Sequence, residues 1–202
     1  MTTPPAERPP TLRDRQRAQV RADIHAAAYR LFAARGFANV TTEDIAAEAS
    51  VSPRTFFRHV ATKEDLLLGA VQRGNAAIAA LLARRPSGEA PEAALAAAIV
   101  SRVGSFDDAD LQTWRAAMLT APELLDRATL LAAADRSRLV ELVATRMGVD
   151  PADDNRPGLL VQLSFAAADF AFAQWVRDSR HRALAADVAE ALAVVAHPRW
   201  SG

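Results

Sequence analysis

A chain of 202 residues, half of them apolar, has room for one or two modest domains with a real core. The 24 basic residues balance the 24 acidic ones, which argues against a uniformly basic nucleic-acid coat and against an acidic disordered chain. The balance is uneven, however: residues 1–63 carry ten basic against six acidic residues, and residues 64–202 carry fourteen against eighteen. Without cysteine the chain can build no disulfide scaffold, Cys-ligated zinc site or thiol nucleophile. Its four histidines, His25, His59, His181 and His197, lack ligand spacing, so no metal and no cofactor is expected. No unbroken apolar run of membrane-spanning length and no signal core stand out, so a cytoplasmic protein with no membrane partner is expected.

Residues 1–12 hold four prolines and no periodicity, the pattern of a disordered tail. From Arg13 a helical stripe runs through Val20, Ile24, Ala27, Ala28, Leu31 and Phe32, and Gly36 falls where a left-handed C-terminal residue belongs. Thr41 and Asp44 form a capping box for a short helix, and Ser50-Val51 leaves room only for a turn. Ser52 followed by Pro53 then caps a second short helix, and Thr62–Asp65 opens a long one towards Arg85. Two short helices joined so tightly predict a helix-turn-helix.

Beyond it the punctuation predicts helices over 91–103 and 107–120, a long helix opened by the capping pattern Thr120-x-x-Glu123 with Pro122 and running to about Met147, a polar loop over 149–157, and helices over 159–178 and 184–195. No stretch alternates with period two. The expected fold is all-α with about nine helices: a tail (1–12), a three-helix helix-turn-helix domain (13–62) and a helical body (63–202).

In such a motif the second helix offers its N-terminal residues to base edges while phosphates are gripped around it. Phe56 and Val60, four apart, are expected in the core. Ser52, Pro53, Arg54, Thr55, Phe57, Arg58 and His59 are then left for the groove and its rims. Arg54 is the expected base reader, because a planar guanidinium can donate two bonds to guanine. Thr55 suits a phosphate or a thymine methyl, and His59 reads equally as a phosphate contact or a packed histidine. Lys63 and Thr42, each near a helix N-terminus, are expected to hold phosphates.

The helix over 159–178 is apolar most of the way round, which calls for cover on two sides. Leu160, Leu163, Ala167, Phe170 and Ala171 form one expected face, with Leu159, Ala166 and Ala173 near another. One side can pack on its own domain and the other on a second subunit, giving a homodimer through the last two helices. Asp169 reads either as a paired acid or as a group that orients a ligand. Trp114, Met118, Phe165 and Phe172 read either as pocket wall or as plain core. A helical-bundle enzyme is the competing class, but the Glu-x-x-His pairs of a di-iron site are lacking, as are nucleophile-elbow and phosphate-loop motifs. A helical adaptor that binds protein rather than DNA is the other alternative.

The order A-A-A-Y-R-L-F-A-A-R-G-F, V-T-T-E-D-I-A-A-E-A-S-V-S and P-R-T-F-F-R-H-V-A-T-K-E-D-L, over about residues 17–70, resembles the tetracycline-repressor (TetR) family of bacterial regulators. The resemblance implies a dimer on a palindromic DNA operator, most often a repressor, released by a small molecule in the C-terminal part, so that residues 63–202 are expected as a helical ligand-binding and dimerisation domain. Three positions depart from the family pattern: Ser50 for a turn glycine, Phe57 for a tyrosine and Val60 for a phenylalanine. The stretch from Trp114 through T-A-P-E-L-L-D-R to R-M-G is similar to a subgroup with acyl-CoA-like ligand domains.

Overall fold

The computed structural model describes residues 11–72, 75–129, 133–178 and 182–196. Helix α1 (Leu12–Arg35) starts one residue inside the expected tail, because Thr11 and Asp14 close a reciprocal capping box. Its first two turns are exposed, and its buried face runs from Ile24 through Ala27, Ala28 and Leu31 to Phe32. Gly36, at φ +82°, ends it with an amide bond to the Phe32 carbonyl, and Phe37 folds its ring back to 4.9 Å from Phe32. A 3-10 turn (Phe37–Asn39) leads to α2 (Thr42–Glu48), closed at its start by the expected Thr41–Asp44 box.

Between α2 and α3 (Pro53–His59), Ser50 is the only non-glycine residue with positive φ among the described residues, at +54°. Ser52 caps α3 by accepting from the Thr55 amide at 3.2 Å, and Phe56 and Val60 are buried as their spacing requires. Thr62 and Asp65 exchange bonds at the start of α4 (Glu64–Gln72). The helix expected to run on to Arg85 continues as α5 (Asn75–Ala83), with residues 73 and 74 outside the described ones.

Helices α6 (Pro91–Val103) and α7 (Asp108–Met118) fall where expected, the latter capped by Asp107. The long helix expected from Pro122 to Met147 is two pieces: α8 is a single turn (Pro122–Leu125), and α9 spans Ala133–Met147. Thr120 is not the cap its spacing suggests. Its hydroxyl donates to the Ala117 carbonyl at 2.7 Å and accepts the Phe37 amide at 3.0 Å, so tertiary contact takes the group that local pattern assigns to a cap. Helix α10 (Arg156–Arg177) begins earlier than expected, shortening the polar loop, and α11 (Leu184–Ala196) follows. The expectation of an all-α chain is met: eleven helices and no strand occur among the described residues.

The helices share one contiguous core, from Ile24 in α1 to Leu192 in α11. Helices α10 and α11 lie side by side against α6 and α9, while α7 lies across α1. Two arginines close helix ends across this framework. Arg146 of α9 donates to the carbonyls of Leu82, in the last turn of α5, and of Arg85 and Pro86 beyond it, at 2.7–2.8 Å. The buried Arg115 of α7 donates to the Val176 carbonyl in the last turn of α10, at 3.1 Å. Helix α10 is long and apolar enough to cross a membrane by length and composition, although Gln162, Ser164, Asp169 and Gln174 interrupt its apolar run. Nearly half of that stretch is buried within the protein, as in a core helix.

Ser50 keeps an exposed side chain in a backbone region that costs an L-residue about 1 kcal/mol. Ser50→Gly should therefore raise the midpoint of thermal unfolding by about 2–4 °C, read by circular dichroism. An unchanged or lowered midpoint would mean that the turn carries no such strain.

Candidate nucleic-acid interface and effector pocket

The groove-facing candidates share one surface. Ser52, Pro53, Arg54, Phe57 and Arg58 are exposed on α3, and Phe57 keeps 53% of its surface accessible. That is unusual for so apolar a side chain, and its ring edge meets the buried Phe56 at 5.3 Å. Thr55 is half-buried and shares a 3.0 Å hydroxyl bond with Ser52. Thr42, at the start of α2, turns its hydroxyl to Glu43 at 3.0 Å.

Lys63 is more occupied than its position suggests. Its ammonium donates to the carbonyls of Phe37 and Val40 at 2.9 and 3.0 Å and lies 4.2 Å from the centre of the Phe37 ring. It thus pins the start of α4 to the connection between α1 and α2, with one of its three N–H donors left over.

Arg58 and His59 face Arg13 and Arg17 across an open cleft of about 510 Å³ between α3 and the exposed start of α1. The motif at 41–65 does not point to Arg13 and Arg17. The available signal is the spacing of Arg13, Arg17 and Arg21, four apart on one helix face. Burial first, then the positive charges of Arg58, Arg21 and Arg17, hold the His59 imidazole below its ordinary pKa, and its Nε2 is buried without a hydrogen-bond partner.

The effector candidates separate into three environments. Met118 and Phe165 are core. Asp169 is half-buried on α10 and accepts from the Thr129 hydroxyl at 3.0 Å. Trp114 and Phe172, with ring centres 5.3 Å apart, line a cleft of about 440 Å³ whose other walls include His25 and Tyr29 of α1, Arg102 and Phe106. This brings two of the five together; Met118, Phe165 and Asp169 are not among the residues lining the cleft. The sequence offers no hint of the α1 wall, because His25 and Tyr29 lie 85 or more positions from Trp114.

The two faces of α10 divide differently from the expectation. Leu159, Leu163, Ala166 and Phe170 form the exposed stripe, with Phe170 64% accessible, while Val161, Phe165, Ala168, Phe172 and Trp175 face the core. Leu163 and Phe170 therefore belong with Leu159, not with Leu160 and Ala171. On a helix apolar all round, composition does not reveal where one face ends.

An all-helical chain that opens with a capped helix-turn-helix and continues into a larger helical body has the architecture of a DNA-binding regulator with an appended sensing domain. Comparison with known proteins agrees. Residues 24–70 match the bacterial regulatory proteins of the tetR family, and residues 89–199 match the MftR C-terminal domain. The chain is 33% identical over 174 residues to the HTH-type transcriptional regulator TcmR of Streptomyces glaucescens, covering 82% of this chain and 77% of that one. It is 30% identical over 167 residues to the putative mycofactocin biosynthesis transcriptional regulator MftR of Mycobacterium tuberculosis, covering 81% and 83%.

Two solved structures share the fold. The fatty acid degradation regulator FadR of Bacillus halodurans aligns with a TM-score of 0.59 at 20% identity, covering 91% of this chain and 97% of that one. Thermus thermophilus FadR in complex with lauroyl-CoA aligns at 0.52 and 21% identity, covering 90% and 96%. The chain belongs to the tetR family of bacterial regulatory proteins; it is a transcriptional regulator and not an enzyme.

Because the folded chain holds His59 below the ordinary imidazole value, the unfolded chain takes up the proton first and stability rises with pH. The contribution is complete above about pH 6.5 and is lost as the pH falls below that value. Urea unfolding at about pH 5 and about pH 7.5 should show a smaller pH difference for His59→Gln than for the parent. An equal difference in both would remove His59 as the cause.

Proposed function

We propose that the protein regulates transcription, most often by repression, as a dimer on a near-palindromic operator from which a small apolar or acyl-type effector releases it. The observation that carries this reading is the solvent-facing set on the capped helix α3, with Arg54 and Phe57 projecting from a helix whose opposite side is locked into the core by Phe56. Arg54, at the second position of α3, reads a base edge; Ser52, Pro53, Thr55 and Phe57 fit the groove wall. Arg58, His59, Lys63 and Thr42 supply the phosphate side, joined by Arg13 and Arg17 across the cleft.

The exposed stripe on α10, continued by Val194 of α11, supports a homodimer built on these two helices. Two copies would set their recognition helices in successive major grooves, about 34 Å apart. Trp114 and Phe172 support an apolar effector, and the FadR structure solved with lauroyl-CoA supports the acyl class.

Fluorescence anisotropy with duplex DNA from upstream of the gene tests the DNA reading. Arg54→Ala should weaken specific binding by about tenfold or more, whereas Arg13→Ala should weaken all duplexes alike and lower the salt slope by about one. Sequence-specific binding indifferent to Arg54→Ala would overturn its role, and the absence of specific binding would overturn the regulator on this operator. For the dimer, Phe170→Glu should halve the mass seen by light scattering; an unchanged mass would place the interface elsewhere.

A further inference from the structure

The cleft that holds Trp114 and Phe172 does not lie wholly within the larger helical body. One wall is α1, through His25 and Tyr29; the opposite walls are the corner between α6 and α7, and α10 with the start of α11. Its volume, about 440 Å³, lies in the range of small-molecule sites, and its floor is apolar and aromatic. At the α6 end stands Arg102, half-buried, donating to the Ser105 hydroxyl at 2.9 Å and stacked 4.0 Å from the centre of the Phe106 ring. No carboxylate lies within ion-pairing distance of it among the described residues, although most of its five N–H donors remain to be used. Two acids, Asp23 and Asp110, also border the cleft, both solvent-exposed, the first already accepting from Gln19 at 2.9 Å. The half-buried, uncompensated charge is therefore positive, and the negative charges are at the solvated rim.

We propose that this inter-domain cleft is the effector site and that its ligand is an aromatic anion, a two- or three-ring body stacked against Trp114 and Phe172 with its acidic group on Arg102. The proposal rests on the regulator reading above, gives it a place, and takes the apolar rather than the acyl class of effector named there, with an anionic group added. The acidic rim disfavours a dianion, and a planar guanidinium suits a carboxylate, sulfonate or phenolate oxygen.

The same walls give the site a route to the DNA-reading helices. The Tyr29 hydroxyl donates to the Leu66 carbonyl at 3.1 Å, and the Trp114 indole N–H donates to the next carbonyl, Leu67, also at 3.1 Å. His25 Nδ1 lies 3.1 Å from the Tyr29 hydroxyl; since that hydroxyl spends its proton on Leu66, Nδ1 is the donor between them. Two wall residues thus hold consecutive carbonyls of α4, the helix that follows α3 after a four-residue link. A ligand that shifts either ring moves α4, and with it the separation of two recognition helices in a dimer. DNA and ligand then oppose each other by linkage.

The probe is 1-anilinonaphthalene-8-sulfonate, with its uncharged analogue N-phenyl-1-naphthylamine as control, titrated against the full-length protein by fluorescence. The sulfonate should saturate a single site, and Arg102→Gln should weaken it by about tenfold or more while changing the uncharged analogue by less than about twofold. Ala26→Trp, which fills the cleft from an exposed position on α1, should abolish both. Excess sulfonate should also lower operator affinity in the parent and not in Ala26→Trp. Equal loss of both probes in Arg102→Gln would overturn the anion pairing, and binding unaffected by Ala26→Trp would overturn the site. Probe binding is read without DNA, so failure to bind any operator would count against the regulator reading and not against the cleft.

Discussion

Helix α7 and the turn after it make hydrogen bonds in three directions, and the relative placement of the other helices depends on them. Trp114 donates to a carbonyl of α4, Arg115 to a carbonyl in the last turn of α10, and Thr120 accepts the amide that follows the end of α1. Each of these backbone groups lies where a helix ends or where a second donor can reach it. The buried guanidinium of Arg115 is met by the negative end of the α10 dipole and by the Trp175 ring, 5.4 Å away. The small N-terminal helices and the larger body are thus held together by backbone–side-chain bonds as well as by apolar contact.

That arrangement explains why the apolar cleft opens at this place. The cleft between α1 and α7 is walled by Tyr29 and Trp114, which tie these two helices to consecutive carbonyls of α4. Tyr29 and Trp114 are therefore both structural ties and cleft lining. The charge distribution follows the same division. Three of the basic residues in 1–63, Arg13, Arg17 and Arg58, line one cleft between α1 and α3, while residues 64–202 carry the acidic surplus, so the neutral total hides an uneven distribution.

The helix-turn-helix was legible because its signals are local. Thr41 with Asp44, Ser52 with Thr55 and Thr62 with Asp65 each satisfy orphan amides within four residues, so the boundaries follow from short-range chemistry. The same reasoning failed at Thr120, which has the spacing of a cap but donates its hydroxyl back to the Ala117 carbonyl and accepts the amide of Phe37, far away in the chain. It also could not divide the faces of α10, where alanine and leucine occur on every side. Nor could it foresee that Lys63 spends its charge on the Phe37 and Val40 carbonyls.

By itself, then, the sequence determined an all-helical chain, the limits of its first three helices, the burial of Phe56 and Val60, and a tight turn at Ser50-Val51. These depend on periodicity and on hydrogen bonds closed within one helical turn. Tertiary structure alone decided that α1 forms a wall of the aromatic cleft, that Trp114 and Phe172 line it while Met118 and Phe165 are core, and that arginines close the ends of α5 and α10. Such contacts join residues tens of positions apart. Any apolar or basic residue at helical spacing is locally compatible with several of them, and only the packing of whole helices selects among them.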